Sequence, residues 1–135
     1  MNMLSQILRF LIVGVANTAV GLGTIFMLKW AGGMGDVPAN LLGYLVGLCL
    51  SFVLNSQWTF RFSGNAGKSA LRFGIVFLVS YAVNLLVMIG LRDVWRVDSY
   101  LAHALSVAPY TIVFFLGSRY FAFRDPAGRS ACLRA

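Results

Sequence analysis

Charge is scarce in this chain of 135 residues: 11% are Asp, Glu, Lys or Arg, against 59% hydrophobic residues. A small water-soluble domain carries charge on roughly a quarter or more of its surface, so this composition excludes one and puts the chain in a bilayer. Acidic residues are rarest, 4 against 11 Lys and Arg, and none lies within a long apolar run. Proton-coupled transport ordinarily needs a buried titratable group. The only other candidate is His103, near the end of the last run, where a lone histidine is more often an interfacial hydrogen-bonding residue. A proton-driven pump of the small four-helix type is therefore disfavoured. No nucleophile with a base, carboxylate pair, metal-ligand cluster or ATP-binding motif stands out, so the chain reads as no enzyme, with no catalytic residue, metal or cofactor. Of the two cysteines, Cys49 is in mid-run and Cys132 in the tail, about half a bilayer apart on a helix, which excludes an intramolecular disulfide. The formal charge of +7 does not indicate nucleic acid, because the basic residues sit at the ends of apolar runs rather than in a patch interleaved with polar ones.

What is present is a repeat. Shifted by 63 residues, the chain aligns with itself without a gap: Leu8-Arg9-Phe10 falls on Leu71-Arg72-Phe73, Ala39 on Ala102, Phe52 on Phe115 and Phe60-Arg61 on Phe123-Arg124. The chain reads as a tandem duplication, repeat 1 over about 8–62 and repeat 2 over about 71–124. Each copy holds two apolar runs, approximately Phe10 to Leu28 and Ala39 to Trp58, then Phe73 to Leu91 and Leu101 to Phe121, all near the ~20 residues that cross ~30 Å as a helix. The expected fold is an all-α membrane protein with four transmembrane helices, formed by a parallel tandem repeat of two-helix units. The first run resembles a signal peptide in position only; it is as long as the others and one repeat depends on it, so it is expected to be retained.

Short cytoplasmic loops keep Lys and Arg. Arg9, Arg61, Lys68, Arg72, Arg119, Arg124, Arg129 and Arg134 lie at the N-terminus, middle loop or C-terminus against only Asp125, whereas in the other two loops Lys29, Arg92 and Arg96 are cancelled by Asp36, Asp93 and Asp98. Both termini are expected in the cytoplasm, with residues 1–124 forming the membrane domain and 125–135 a short cytoplasmic tail.

Residues four apart share a helix face, and Gly43, Gly47, Ser51 and Asn55 make such a row in the second run. Gly14, Asn17 and Gly21 in the first and Ser80 and Asn84 in the third are similarly spaced. Such residues are the usual material of membrane helix interfaces, and the same amides are the best polar candidates at depth for lining a substrate path. One repeat later the row becomes Ser106, Tyr110, Phe114 and Ser118, so strict symmetry is lost. Large side chains of the fourth helix are one expected occupant of the glycine row, a one-sided cavity the other. Pro109 is expected to kink the fourth helix.

The second run ends Asn55-Ser56-Gln57-Trp58-Thr59-Phe60-Arg61 and the fourth Ser118-Arg119-Tyr120-Phe121-Ala122-Phe123-Arg124. Aromatics followed by arginine form an interfacial belt, and Arg9 and Arg72 open the first and third helices at the same level. A guanidinium matches phosphate bidentately, so these residues suit a lipid phosphate; obeying the positive-inside rule is the alternative reason for them.

The Arg9-Phe10, Val13-Gly14, Asn17-Thr18 opening, the Ala39-Asn40 start and the Asn-x-x-Trp-x-Phe ending, repeated in degenerate form, resemble the GtrA-like family of small bacterial membrane proteins from about Leu8 to Arg124. The chain departs from the family pattern at Ser56, where a basic residue is common, and at Ser118, where Asn is. Each half thus supplies only one of the pair. The resemblance implies a role in cell-surface polysaccharide synthesis: flipping polyprenyl-phosphate-linked sugars across the cytoplasmic membrane or, alternatively, serving as a non-transporting anchor or scaffold for a polyprenyl-phosphate glycosyltransferase. On the flippase reading the substrate-binding residues are Arg9, Asn17, Ser51, Asn55, Trp58, Arg61, Arg72, Tyr81, Asn84 and Arg119. The expected partners are the polyprenyl-phosphate-linked sugar, membrane lipids, a glycosyltransferase and further copies of the chain, since four helices enclose little space of their own.

Overall fold

The computed structural model describes residues 2–124, and every element in them is helical. The expected tail 125–135, with Cys132, lies outside the described residues. Helix α1 covers Met3–Trp30; α2 covers Asp36–Leu54 and continues through a π-helical turn, Asn55–Thr59. Helix α3, Ala66–Ile89, likewise runs on through Gly90–Val94, and α4, Ser99–Gly117, through Ser118–Ala122. These are four helices long and apolar enough to cross a membrane, so the protein is an all-helical, multi-pass membrane protein.

Local chemistry sets the boundaries. Asn65 caps α3 by accepting from the Lys68 amide at 3.0 Å, and Asp98 caps α4 by accepting from Tyr100 and Leu101 at 3.1 and 3.4 Å. Helix α1 starts at Met3 rather than Phe10, and its 28 residues reach ~42 Å at 1.5 Å per residue. The polar first turns, which hydropathy reads as loop, are helical. Helix α4 continues through Pro109.

The chain divides between Arg61 and Phe62 into two compact units. In the first, α1 and α2 are antiparallel: Gly21 meets Gly43, Asn17 meets Gly47 and Arg9 meets Trp58. Gly43 and Gly47 are buried, so the partner of the glycine row is α1, where large side chains of the fourth helix were one of the expected occupants. Only glycine admits this approach, since a Cβ at Gly43 would lie 2.9 Å from the Gly21 carbonyl oxygen. In the second unit α3 and α4 are antiparallel through Asn84 on Ser106, Val76 on Gly117 and Ser69 on Ala122. There aromatics fill the interface, with Phe114 at 5.1 Å from Phe73, 6.2 Å from Phe77 and 5.6 Å from Tyr110 between ring centroids.

Both units are turned out relative to a soluble protein. Ser51, Asn55, Thr59, Ser69, Ser80, Ser106 and Ser118 are buried, while Val15, Leu86 and Leu78 are exposed by two thirds or nearly so (73, 71 and 65%). Apolar side chains facing outward along whole helices match a hydrocarbon solvent, and backbone groups satisfied within helices are what that solvent demands.

Geometry recurs at the 63-residue offset. Met34 N donates to Leu28 O at 3.2 Å around Gly33, at φ 57°, and Val97 N donates to Leu91 O at 2.9 Å around Arg96, at φ 52°. Glycine takes this left-handed conformation without strain and arginine does not. Arg96→Gly is therefore expected to stabilise the protein by about 1 kcal/mol, read as a higher melting temperature in detergent.

Candidate functional site

Each unit carries one end where an arginine, an aromatic ring and a π turn meet. In the first, Arg9 donates from Nη1 to the carbonyl oxygen of Trp58 at 2.9 Å, and its guanidinium lies over the indole, 5.2 Å from the centroid. That carbonyl belongs to the last turn of the helix, where acceptors lack helical donors. In the second unit Arg72 lies over Phe121 at 5.6 Å, the same pair of positions one repeat later. Behind them Phe10 meets Phe60 edge-on at 6.3 Å, and Phe73 meets Phe123 at 5.6 Å. A guanidinium over a ring keeps its charge in apolar surroundings while leaving N–H groups free for an anion.

Both ends close on a π turn. Phe60 N donates to Asn55 O at 2.9 Å and Phe123 N to Ser118 O at 2.8 Å, each spanning five residues. Within the α-helical stretches hydroxyls bond back to the carbonyl four residues earlier: Thr18 to Gly14, Thr24 to Val20, Ser80 to Val76 and Thr111 to Val107, all at 2.7–3.0 Å. Thr59, inside the π turn, lacks that bond. Asn55 spends its Nδ2 on Ser51 Oγ at 3.1 Å and leaves Oδ1 unpartnered, as do Thr59 Oγ1, Gln6 Oε1, Ser118 Oγ and Arg119 Nη1. Asn55, Thr59 and Ser118 are at most 1% exposed. Each such orphan costs about 1–3 kcal/mol, and five of the six orphaned side-chain atoms among the described residues occupy these two ends. π-helical insertions and unpaired buried polar groups both concentrate at functional sites.

The sequence-predicted residues sort into two levels. Arg9, Ser51, Asn55 and Trp58 come together at the end of the first unit, and Arg61 follows on an exposed turn with φ 49°. Arg72 and Arg119 occupy the corresponding end of the second, Arg119 over the Tyr120 ring at 5.4 Å. Deeper in the first unit, Asn17 presses its Oδ1 on Gly47, where a Cβ would lie 2.6 Å away, and that oxygen is also orphaned. Asn84 donates to Ser106 Oγ at 2.9 Å, and Ser106 donates to His103 O at 2.8 Å, so this amide ties α3 to α4. Tyr81 is exposed and stacked on Phe77 at 6.3 Å. Gln6 and Thr59 were missed. Thr59 stands four residues after Asn55, a spacing that extends the Ser51–Asn55 row, and Gln6 precedes Phe10 by one helical turn.

Among the described residues no group of three His, Cys, Asp or Glu side chains stands close enough to hold a metal ion. Chemically, the ends offer guanidinium donors for an anion and, in the first unit, carbonyl-type oxygens that accept hydrogen bonds.

Four apolar helices in two polar-cored pairs, with arginine–aromatic ends, define a multi-pass helical membrane protein. The family model "GtrA/DPMS, transmembrane domain" matches residues 9–123, and the chain belongs to that family. It is also similar to the uncharacterized membrane protein YngA of Bacillus subtilis (strain 168), 38% identical over 82 residues, which cover 54% of this chain and 55% of that protein. The match thus spans about half the length of the curated relative.

Proposed function

We propose that this protein moves polyprenyl-phosphate-linked sugars between the leaflets of the cytoplasmic membrane for cell-surface polysaccharide synthesis. The observation that carries the reading is the pairing, at one end of each unit, of a ring-stacked guanidinium with orphaned polar side-chain atoms beneath it. Phosphate is the ligand of the first and sugar hydroxyls of the second. In this reading the units are the two copies of a parallel repeat, both termini are cytoplasmic, residues 125–135 form a cytoplasmic tail, and the arginine ends face the leaflet where carrier-linked sugars are made. The balance of loop charge supports that orientation.

Phosphate is received at the end of the first unit by Arg9 and Arg61, with Trp58 holding Arg9 in place, and at the end of the second by Arg72 and Arg119. Sugar hydroxyls lose several kcal/mol each if they enter hydrocarbon unpaired; Ser51, Asn55, Asn17, Tyr81 and Asn84 replace part of that water along the helix faces. The polyprenyl tail stays in lipid throughout. Copies of the chain assemble to give the headgroup room, and a glycosyltransferase is the supplier of substrate on the cytoplasmic side.

The test is leaflet exchange of a labelled polyprenyl-phosphate sugar in liposomes, comparing wild type with Asn55→Ala and Arg119→Ala after confirming that all three insert and melt alike. Exchange by the wild type that falls at least tenfold in either variant is the expected result. A wild type no better than empty vesicles, across several lipid-linked sugars, would replace this reading with a scaffold that only recruits a glycosyltransferase.

A further inference from the structure

The two ends are not chemically equivalent. At positions one repeat apart, Asn55 corresponds to Ser118, Thr59 to Ala122, Gln6 to Ser69, and Ser51 to Phe114. In the second unit the corresponding place is largely taken up: Ser69 Oγ donates to Ala122 O at 2.9 Å, Phe114 lies among Phe73, Phe77 and Tyr110, and of the four counterparts only Ser118 leaves an orphaned oxygen. In the first unit the same place holds three orphaned oxygens, Gln6 Oε1, Asn55 Oδ1 and Thr59 Oγ1. The antiparallel register fixed by Asn17 on Gly47 and Arg9 on Trp58 sets Gln6 opposite Thr59.

Two of these three atoms are amide oxygens, which only accept hydrogen bonds. They repel a phosphate and suit a ligand rich in donors. A bare cation is disfavoured by Arg9 over the neighbouring Trp58 and by Arg61 two residues after Thr59. Neutral donors such as the sugar hydroxyls of the proposed substrate suit these acceptors.

We infer that the end of the first unit, through Gln6, Asn55 and Thr59, sets the preference for the sugar by its hydroxyls, whereas the lone Ser118 hydroxyl at the end of the second adds little to it. The inference rests on the proposed substrate and deepens it: one unit discriminates sugar-bearing from sugar-free carrier, and its repeat counterpart contributes little.

Equilibrium binding in nanodiscs tests this with two probes, undecaprenyl phosphate and undecaprenyl-phosphate glucose. Wild type is expected to hold the glucose-bearing lipid at least about tenfold more tightly, the value of one well-made hydrogen bond. Thr59→Val, which keeps the shape of the side chain, and Gln6→Leu are each expected to bring that preference below threefold without changing affinity for the sugar-free lipid. Ser118→Ala is expected to keep it. A preference that survives both Thr59→Val and Gln6→Leu, or falls equally in Ser118→Ala, overturns the assignment to the first unit while leaving the function standing. Equal binding of both probes by the wild type overturns sugar recognition as a whole, and binding of neither removes the functional reading with it.

Discussion

Gly43→Leu is expected to leave no properly folded protein, whereas Gly21→Ala, on the facing helix, is expected to be neutral or stabilising. The two glycines meet, but not symmetrically. A Cβ on Gly21 would sit 3.5 Å from the Gly43 carbonyl oxygen, an ordinary contact, and alanine is better than glycine in a helix by about 1 kcal/mol. A Cβ on Gly43 would run into the Ile25 side chain and come within 2.9 Å of the Gly21 carbonyl oxygen. Ile25 can shift; the backbone of α1 cannot without moving the helix. Gly43→Ala is therefore expected to cost about 1–3 kcal/mol, as overpacking does, and leucine to exceed what a helix pair can absorb. The α1–α2 contact also sets Arg9 over Trp58, so separation of the helices removes the site along with the fold. Thermal melts and size-exclusion profiles in detergent check the series: the order Gly21→Ala, wild type, Gly43→Ala, Gly43→Leu in falling stability is the expected one.

The second large effect concerns the guanidinium pair. Arg9→Gln/Arg72→Gln is expected to slow leaflet exchange of a polyprenyl-phosphate sugar about a hundredfold, since each charge-assisted hydrogen bond to phosphate is worth about 1.5–3 kcal/mol. Arg9→Gln also removes the bond to the Trp58 carbonyl and the stacking on its ring, so loss of activity alone does not separate binding from structure. Arg9→Lys does. It keeps the charge, loses the bidentate fork and the planar stacking, and is expected to recover part of the exchange with a weakened apparent affinity. Arg92→Gln is the control: Arg92 is engaged with Asp93 at 2.6 and 3.1 Å, at the other end of α3, and its loss is expected to leave exchange unchanged. A double variant that melts like wild type and still exchanges at the wild-type rate would remove the arginines from the mechanism.

The residues differ in how far the sequence alone reveals them. Four apolar runs of spanning length required four helices, and the small-residue spacing of Gly43 and Gly47 required a close neighbour. Which helix that neighbour is was not legible, because a glycine face accepts any partner; the register comes from Gly21, Asn17 and Ile25 on α1. The helix starts ran earlier than hydropathy implies, since Ser5, Gln6 and Arg9 are polar yet helical. The π turns left no trace in the pattern. A bond over five residues instead of four shifts no hydrophobic position far enough to be seen, and Thr59 within such a turn lacks the back-bond that Thr18, Thr24 and Thr111 make. Gln6 and Thr59 therefore read as ordinary interfacial residues. Asn55, by contrast, was legible because an amide in an apolar run is conspicuous whatever the turn does.

The proposed flux needs no energy source of the protein's own, and the measurement that bears most directly on the account is wild-type exchange in vesicles without ATP, pH gradient or membrane potential, followed in both directions. The account predicts that a labelled polyprenyl-phosphate sugar supplied in either leaflet reaches the other at the same rate until the two are equal. Exchange that appears only with a gradient, or none beyond that of protein-free vesicles, would contradict it.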